Sequence, residues 1–363
     1  MLQILLFLSA IMPVATADAE QQPLGSWEDP AAHVWRQTQT LGLSTFAKMP
    51  FQDCFSPATS HEPSYDIAVL GAPFDLGVTG RPGERSGPLG IRLGSQRLGG
   101  HNIFTGKKVL DGRTTIVDCG DADLTVLDKE VALEQLYKAH KRVSTRPGHR
   151  GGKGAIPRIL ALGGDHTTTL PALRSAHERW GPVSVIHFDS HLDTWDPEMI
   201  GGGVSLDAGV NHGTWLHIAH HKGFINDDSI HVGTHAPVMR LADWGNDRRC
   251  GFDSITSRDF DTKGVAGIVN DIRNRIGENY VYISVDIDVL DPAFAPGTGT
   301  PEPGGLTSRE LLAVLDGLIG LNVIGADVVE VAPAYDSESG TTALAAAQVG
   351  LALLSLMVEK PVQ

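Results

Sequence analysis

The sequence is poor in cysteine and in aromatic residues, and acidic side chains outnumber basic ones. Its three cysteines, Cys54, Cys119 and Cys250, are an odd number without metal-ligand spacing, which excludes a disulfide framework and a structural zinc site. At most one disulfide can form among them, and Cys119, at the end of an apolar run, is typical of a buried small hydrophobe. We therefore interpret the cysteines as structural.

The acidic balance gives a formal net charge of −14 at pH 7. That charge argues against a nucleic-acid partner, because binding to phosphates needs clustered lysine and arginine side chains. It favours a small cationic substrate, which long-range electrostatic attraction would draw toward the protein. There is also no internal repeat at a solenoid period, so a repeat architecture is excluded.

The first segment has the pattern of a cleaved secretory signal. Residues 2–14 are an apolar run with only two polar side chains, and the small residues Ala15-Thr16-Ala17 follow as a cleavage pattern. The run is short for a membrane span, and no arginine precedes it, which excludes a mitochondrial presequence. We expect a signal peptide over residues 1–17 and a secreted protein that is free of the membrane after cleavage. The alternative is a disordered N-terminus on a cytoplasmic protein, and the absence of an Asn-x-Ser/Thr sequon favours it.

After a polar, proline-containing lead-in over residues 18–63, short apolar runs alternate with helical patterns. The runs are continuously apolar, as expected for parallel strands that are covered on both faces. This alternation over residues 64–363 predicts one catalytic domain of the α/β class, a single three-layer αβα domain with a mostly parallel sheet. The predicted strands are 67–70, 115–117, 159–162, 183–188, 230–232, 281–285 and 323–331, and the predicted helices are 129–141, 169–180, 262–276, 308–319 and 342–358.

Binding sites in open sheets of this kind lie beyond the carboxyl ends of the strands, and two strand ends here have conspicuous polar residues. The first continues into Gly163-Gly164-Asp165-His166, where paired glycines allow a tight turn that presents His166 at the rim of the sheet. The second continues into Asp189-Ser190-His191-Leu192-Asp193, in which alternate side chains point the same way on extended backbone. A capping or packing role for His166 and a solvated acidic loop at 189–193 are the alternatives.

A third strand end places Asp286 and Asp288 on one face of an otherwise apolar run, before Asp291-Pro292 ends the element. Two buried like charges indicate a metal ion or a strongly raised pKa. Together the three strand ends supply two histidines and four aspartates, which is too many ligands for one catalytic ion and suits two ions with bridging carboxylates. Oxygen-rich ligand sets with some imidazole favour Mn²⁺, with Mg²⁺ and Zn²⁺ as poorer fits.

These motifs, in this order, resemble those of the ureohydrolase family, which includes arginase, agmatinase and guanidinobutyrase. The resemblance runs from about residue 65 to residue 354, and it continues through Gly299-Thr300-Pro301 and the segment 304–307. Residues 71–75 and 81–88 are most similar to agmatinase and to guanidinobutyrase-like members. The resemblance implies the arginase-like αβα fold and a hydrolase that cleaves a guanidinium group and releases urea.

The resemblance also implies a role for each site residue. Glu330 would bind the guanidinium, with Thr300 as a further substrate contact, and Asp288 would help to handle the proton of the attacking hydroxide. His212 would pass a proton to the departing amine, although His217, His220 and His221 lie close by in sequence. One Mn²⁺ would be held by His166, Asp189, Asp193 and Asp286, and the other by His191, Asp189, Asp286 and Asp288.

The chain departs from the family pattern at two places. Ser190 stands where alanine is usual, and we expect its side chain to face away from the metals and to have little effect. Residues 194–210, with three consecutive glycines at 201–203, form a longer and more glycine-rich loop than usual. Because this loop contacts the tail of the substrate, the departure concerns which substrate is bound.

The resemblance leaves several substrates open. We expect agmatine, cleaved to putrescine and urea as in polyamine metabolism. The main alternative is 4-guanidinobutyrate, for whose carboxylate Arg81 and Arg85 are candidate partners unless ion pairs already engage them. Arginase activity is less favoured, because the polar loop that holds the amino-acid head group in arginase is missing. A deacetylase-like enzyme with one zinc ion is also less favoured, because all six ligands for two metal ions are present. By resemblance we also expect a homo-trimer or a homo-hexamer.

Overall fold

A computed structural model describes residues 44–56, 64–110, 112–148 and 156–362. The predicted signal peptide, residues 1–17, and most of the predicted lead-in lie outside these ranges. The described strands are β1 (Ile67–Gly71), β2 (Ile116–Asp121), β3 (Arg158–Leu162), β4 (Ser184–Phe188), β5 (Ser229–Thr234), β6 (Phe252–Thr256), β7 (Tyr280–Asp286) and β8 (Asn322–Val329). They form one parallel sheet in the order β2-β1-β3-β8-β7-β4-β5-β6.

Helices connect these strands, as parallel pairing requires. Those of the α type within the described residues are α1 (Gly87–Gly94), α2 (Lys129–Ser144), α3 (Thr169–Trp180), α4 (Trp215–His221), α5 (Leu241–Arg249), α6 (Asp259–Ile276), α7 (Ser308–Gly317) and α8 (Thr341–Glu359). Short 3₁₀ turns lie at several junctions, among them Glu84–Ser86 directly before α1 and His166–Thr168 directly before α3.

Neighbouring strand residues point to opposite faces of the sheet, so each strand contributes to two hydrophobic layers. In β7, Val281 and Ile283 pack into the layer that contains α1, α6, α7 and α8, whereas Tyr282 packs on the other face with α3 and α4. Helix α2 covers β1 and β2 on that second face. The predicted three-layer αβα domain is therefore confirmed, and its sheet is wholly parallel in the described residues.

All the predicted strands and helices are present, with ends displaced by a few residues. Strand β6 was missed because it is an edge strand with only Phe252 and Ile255 buried, so it lacks a continuous apolar run. Helix α1 was missed because three of its eight residues are glycine, which has a poor intrinsic helix propensity. Helix α5, which packs on β6, was missed because its residues are mostly polar and show no clear amphipathic pattern.

Helix α8 is apolar enough to cross a membrane by length and composition, with a mean hydropathy of 1.8 over its most apolar 18-residue window. Of that window, 67% is buried inside the fold, where Leu353 and Leu354 are wholly inaccessible to solvent. It packs against β3, β8, α1 and α7. We therefore interpret α8 as a core helix, which explains why it is hydrophobic on nearly all sides.

Cys54 and Cys119 form a disulfide, with their Cα atoms 5.4 Å apart. It ties the segment that precedes β1 to the edge strand β2. Cys119 is buried, as expected, and it is half of the one disulfide that the sequence allowed. Cys250 is free and buried, as expected for a structural cysteine.

The disulfide should stabilise the folded domain measurably. It closes a loop of 65 residues, for which loop-closure entropy gives a stabilisation of about 4 kcal/mol. We expect a reducing agent to lower the thermal midpoint of the wild-type protein by several degrees in a calorimetric scan. The variant Cys54→Ala/Cys119→Ala should show no response to the reductant, whereas Cys250→Ala should respond as wild type does. A wild-type midpoint that ignores the reductant would contradict this role.

Candidate metal centre

The polar residues predicted at strand ends come together at one edge of the sheet. The central strands β3, β8, β7 and β4 are neighbours with the same direction, so their carboxyl ends open onto one space. Open parallel sheets place their ligands at such an edge. The site residues there are His166 after β3, Glu330 after β8, Asp286 and Asp288 at the end of β7, and Asp189, His191 and Asp193 after β4.

One group of ligand atoms surrounds His166. Its Nδ1 atom lies 3.1 Å from Oδ2 of Asp189, 3.2 Å from Oδ2 of Asp193 and 3.2 Å from Oδ2 of Asp286. All four side chains are buried. These are the four residues that the family resemblance implies for the first metal ion.

A second group centres on His191, whose Nδ1 atom lies 3.3 Å from Oδ1 of Asp189 and 3.2 Å from Oδ2 of Asp288. Asp189 therefore directs one carboxylate oxygen to each group, as a bridging residue would. Asp286, the other expected bridge, accepts the backbone N–H of Asp288 on Oδ1 at 2.8 Å and turns Oδ2 toward His166. The structure thus brings all six predicted ligands into one cluster.

The cluster has the chemistry of a site for two divalent cations. In the described part of the chain, the only basic partners of its four aspartates within 4 Å are histidines. Oδ2 of Asp189 is buried and lies within 3.1 Å of ring nitrogens of His166 and His187, but neither contact has the angles of a hydrogen bond. Burial and the carboxylates of Asp288 and Asp189 raise the pKa of Asp286 well above its usual range. Grouped buried carboxylates need neutralising charge, and this mixture of oxygen and imidazole ligands suits divalent transition-metal ions.

Hydrogen bonds behind His166 orient its ring. Nε2 lies 2.8 Å from Oγ of Ser284, which donates to Oδ1 of Asp327 at 2.6 Å. Thr169 and Tyr282 donate to the other oxygen of Asp327. Such a chain directs Nδ1 of a ligating histidine toward the metal side. Sequence reasoning missed Asp327, although a lone carboxylate inside the apolar strand β8 was a usable signal.

His187 is a second neighbour that sequence reasoning missed. Its Nε2 atom lies 3.0 Å from Oδ2 of Asp189, and its Nδ1 atom lies 2.8 Å from Nδ1 of His231. Nε2 of His231 in turn lies 2.8 Å from Oδ1 of Asp247. Burial lowers the pKa of His187 to about 4, so its ring is neutral at pH 7. These three buried residues support the bridging carboxylate of Asp189 from inside the sheet.

Ser190 was expected to face away from the centre, and this expectation was wrong. Its hydroxyl donates to Oδ1 of Asp288 at 2.7 Å, and its backbone N–H donates to the same oxygen at 3.2 Å. The chain bends sharply after Asp189, so strict alternation of side chains does not continue into this segment. Alanine at position 190 would keep the backbone bond and lose the hydroxyl bond, so Ser190 adds a restraint on Asp288.

Gly164 allows close packing below the centre. A Cβ atom at this position would overlap the backbone of Phe74, in the loop after β1. Neither Gly163 nor Gly164 has a positive φ angle, so the paired glycines serve close approach and not the tight turn expected from the sequence. The neighbouring Asp165 accepts N–H groups from Thr167 and Gly77, which makes it a support for the loops.

Glu330 and His212 face each other at the side of the metal cluster. Oε1 of Glu330 accepts the backbone N–H of His166 at 2.7 Å and lies 3.0 Å from Nδ1 of His212. Burial lowers the pKa of His212, but the carboxylates of Glu330, Asp193 and Asp165 together outweigh burial and raise the pKa to about 9. At neutral pH this pKa favours the imidazolium, whose Nε2 proton the hydroxyl of Thr79 can accept at 2.7 Å. The neutral ring can instead accept the backbone N–H of Thr79 at the same nitrogen.

The three histidines that compete with His212 in sequence lie elsewhere. On α4, His217 stacks on His221 with ring centroids 4.6 Å apart, and Nε2 of His220 lies 2.9 Å from Oδ1 of Asp227. Thr300, the other expected substrate contact, donates to Oδ2 of Asp288 at 3.3 Å. Thr300 therefore lies at the wall of the centre, next to the second group of ligands.

Two residues of the centre have strained backbone conformations. Asp193 has a φ angle of 55° and Glu330 one of 61°, in the left-handed region that non-glycine residues seldom adopt. At Glu330 this conformation follows directly after β8 and turns the side chain toward His166 and His212. Strain of this kind costs on the order of 1–3 kcal/mol per residue and is concentrated at functional sites.

Arg81 and Arg85, which lie in the loop between β1 and α1, already have partners. Arg85 forms an ion pair with Asp75. Arg81 donates to the backbone carbonyls of Thr298 and Gly299 at 3.0 and 3.2 Å, and its guanidinium lies 4.4 Å from the ring centroid of Tyr335. Both arginines therefore hold the loops at the mouth of the site together.

Comparisons with known proteins agree with this geometry. The family model described as "Arginase family" matches residues 65–355. The chain is 46% identical over 333 residues to "Putative agmatinase 1" of Schizosaccharomyces pombe, covering 88% of this chain and 84% of that protein. It is 37% identical to an agmatinase of Enterobacter sp., covering 87% and 93%. The solved structure of proclavaminate amidino hydrolase from Streptomyces clavuligerus superimposes with a TM-score of 0.77 at 34% identity, covering 89% of this chain and 99% of that one.

Removal of a ligand that belongs to one metal position only should distinguish the two positions. Asp288 belongs only to the group around His191, so we expect Asp288→Ala to abolish hydrolysis and to reduce bound metal from about two ions per chain to about one. Elemental analysis after dialysis and a guanidine-hydrolysis assay would measure both effects. The matched control is Asp253→Ala, because Asp253 is an exposed aspartate of β6. Full activity of Asp288→Ala would contradict the assignment.

Proposed function

The chain belongs to the arginase family and is a ureohydrolase, and we propose that it cleaves agmatine to putrescine and urea with two Mn²⁺ ions. The observation that supports this best is the complete six-residue cluster beside Glu330 and His212. It is the arrangement expected of a family member that binds a guanidinium next to two metal ions. The names of the relatives from Schizosaccharomyces pombe and Enterobacter sp. point to agmatine as the substrate.

The metal ions would be held by the two groups of side chains that share Asp189. Two divalent ions at one site supply a water molecule whose pKa is low enough to provide hydroxide near neutral pH. Ser190 and His187 would keep Asp288 and Asp189 in place for these ions, because residues that contact ligands also tune metal affinity.

The remaining steps rely on the chain's own residues. Glu330 would bind the guanidinium through its carboxylate and orient the central carbon toward the cluster. His212 is protonated at neutral pH and lies 3.0 Å from Glu330, so it can give its proton to the amine nitrogen as the carbon–nitrogen bond breaks. Asp288 would accept the proton of the attacking water.

The loop contacts favour agmatine over 4-guanidinobutyrate. Recognition of a carboxylate at the substrate tail would need a free basic side chain. Arg81 and Arg85, the candidates in the sequence, are engaged by backbone carbonyls, Tyr335 and Asp75. The net charge of −14 also suits a substrate with a second positive charge.

We also propose a secreted protein that forms a homo-trimer or a homo-hexamer. The disulfide between Cys54 and Cys119 supports secretion, because such bonds persist in oxidising compartments. Leu127 and Leu206, each at least 90% exposed in a single chain, would gain from burial between subunits. Detection of the protein in culture medium would test the compartment, and light scattering after gel filtration would test the assembly, with a cytosolic monomer as the contrary result.

A urea-release panel would test the substrate. Purified protein loaded with Mn²⁺ should release urea from agmatine with a kcat/KM at least tenfold above that for 4-guanidinobutyrate or arginine, because Arg81 and Arg85 already have partners. Loading with Mg²⁺ or Zn²⁺ in place of Mn²⁺ is the metal control. A higher kcat/KM for 4-guanidinobutyrate than for agmatine would contradict the assignment of agmatine as the substrate. If no guanidino compound released urea, the proposed reaction itself would be wrong.

The role of His212 predicts an alkaline limb in the pH profile. Because its pKa is about 9 in the free enzyme, kcat/KM should fall as the pH rises through 9 and His212 loses its proton. His212→Asn should lower kcat by about 100-fold and should lack that limb. His221→Asn, a change on the exposed side of α4, is the matched control and should keep the wild-type profile. If His212→Asn kept the same fall in kcat/KM above pH 9, that fall would have to arise from the titration of another group.

A further inference from the structure

Glu84 is a buried carboxylate for which neither the fold nor the proposed mechanism provides a partner. It lies in the 3₁₀ turn Glu84–Ser86 directly before α1 and is wholly inaccessible to solvent. Neither of its carboxylate oxygens has a hydrogen-bond partner among the described residues. An unpaired buried carboxylate is costly, so its retention calls for a ligand or a proton.

Glu84 packs against the segment that leads to Thr300, and its charge interacts with that of Glu330. Oε1 lies only 2.5 Å from the point that a Cβ atom would occupy at Gly299, so the absence of a side chain there makes room for it. Gly299 is followed by Thr300, which contacts Asp288. The hydroxyl of Thr298, on the other side of Gly299, is also buried and unpaired. Unsatisfied polar atoms thus gather on the wall next to the metal cluster.

Glu330 by itself offers only half of the oxygens that a guanidinium can use. Its Oε1 atom already accepts from the backbone of His166 and contacts the ring of His212, which fills both lone pairs of that oxygen. Its Oε2 atom is buried and unpaired. A planar guanidinium presents N–H groups in pairs and on two sides, so one free oxygen leaves most of them unsatisfied.

We propose that Glu84 is a second substrate-binding carboxylate, which acts with Oε2 of Glu330 to hold the guanidinium head between two negative groups. This inference rests on the proposed ureohydrolase function. It makes the pocket specific for a cationic guanidinium over a neutral ureido or amide group of the same shape. Because urea is neutral, the product would lose this electrostatic attraction when it forms.

The charges around Glu84 predict that substrate binding releases a proton. Burial, together with the carboxylates of Glu330, Asp165 and Asp75, raises the pKa of Glu84 to about 8, so it is largely protonated in the free enzyme at pH 7. Arg85 is paired with Asp75, and Arg81 donates to backbone carbonyls, so neither hydrogen-bonds to Glu84. His212 contacts Glu330 from the opposite side. A guanidinium between Glu84 and Glu330 favours the ionised form and expels the proton.

Glu84→Gln tests the proposal, because glutamine has the shape of the protonated acid and cannot ionise. With Mn²⁺-loaded enzyme at pH 7, we expect Glu84→Gln to bind millimolar guanidinium chloride at least tenfold more weakly than wild type. Calorimetry in buffers of different ionisation enthalpy should show close to one proton released per guanidinium by wild type and none by the variant. The KM for the guanidino substrate should rise by a similar factor, with a smaller change in kcat.

Two controls keep the result interpretable. Glu278→Gln alters an exposed glutamate at the opposite edge of the sheet and should match wild type in binding and proton release. The thermal midpoint and metal content of Glu84→Gln should equal or exceed those of wild type, since the carboxylate makes no hydrogen bond that is lost. Unchanged affinity and proton release in Glu84→Gln would overturn the proposal, as would a lowered midpoint with unchanged affinity. A wild-type enzyme that releases no urea from any guanidino compound would refute the proposed function instead.

Discussion

The mutual repulsion of buried carboxylates is the constraint on which this structure depends. Four aspartates converge at the carboxyl edge of four neighbouring strands, and no lysine or arginine of the described chain forms an ion pair with them. The fold brings them together because parallel strands end at the same edge. It tolerates them because histidines, the hydroxyl of Ser190, the indole N–H of Trp215 and backbone N–H groups hold the four carboxylates in place. Stability and metal binding are therefore coupled in this domain.

Much of this arrangement follows from the sequence. Continuous apolar runs locate the buried strands, because a strand covered on both faces needs hydrophobic residues at every position. Charged residues that interrupt or directly follow such runs, such as Asp286 and Asp189, mark the carboxyl edge where function resides. The edge strand β6 has no such run, since only Phe252 and Ile255 are buried there, and it was missed for that reason.

Local rules fail where the chain leaves regular structure. Alternation of side chains placed Ser190 away from the centre, but the backbone bends after β4 and the hydroxyl reaches Asp288. His187 and Asp327 lie within strands and were taken as part of apolar runs, although their contacts cross between strands. Glu84 gave no signal, because its burial results from packing between loops far apart in sequence. Contacts of that kind depend on three-dimensional proximity and not on spacing along the chain.

The positive φ angles of Asp193 and Glu330 have a consequence for how this protein responds to selection. Glycine or asparagine would fit the left-handed backbone at these positions with less strain. Directed evolution for heat resistance alone would therefore favour replacement of the residues to which we assign metal and substrate binding. Substitutions that stabilise the protein at positions 193 or 330 should therefore be found in inactive variants. Stable variants that keep activity should have their stabilising substitutions far from this edge of the sheet.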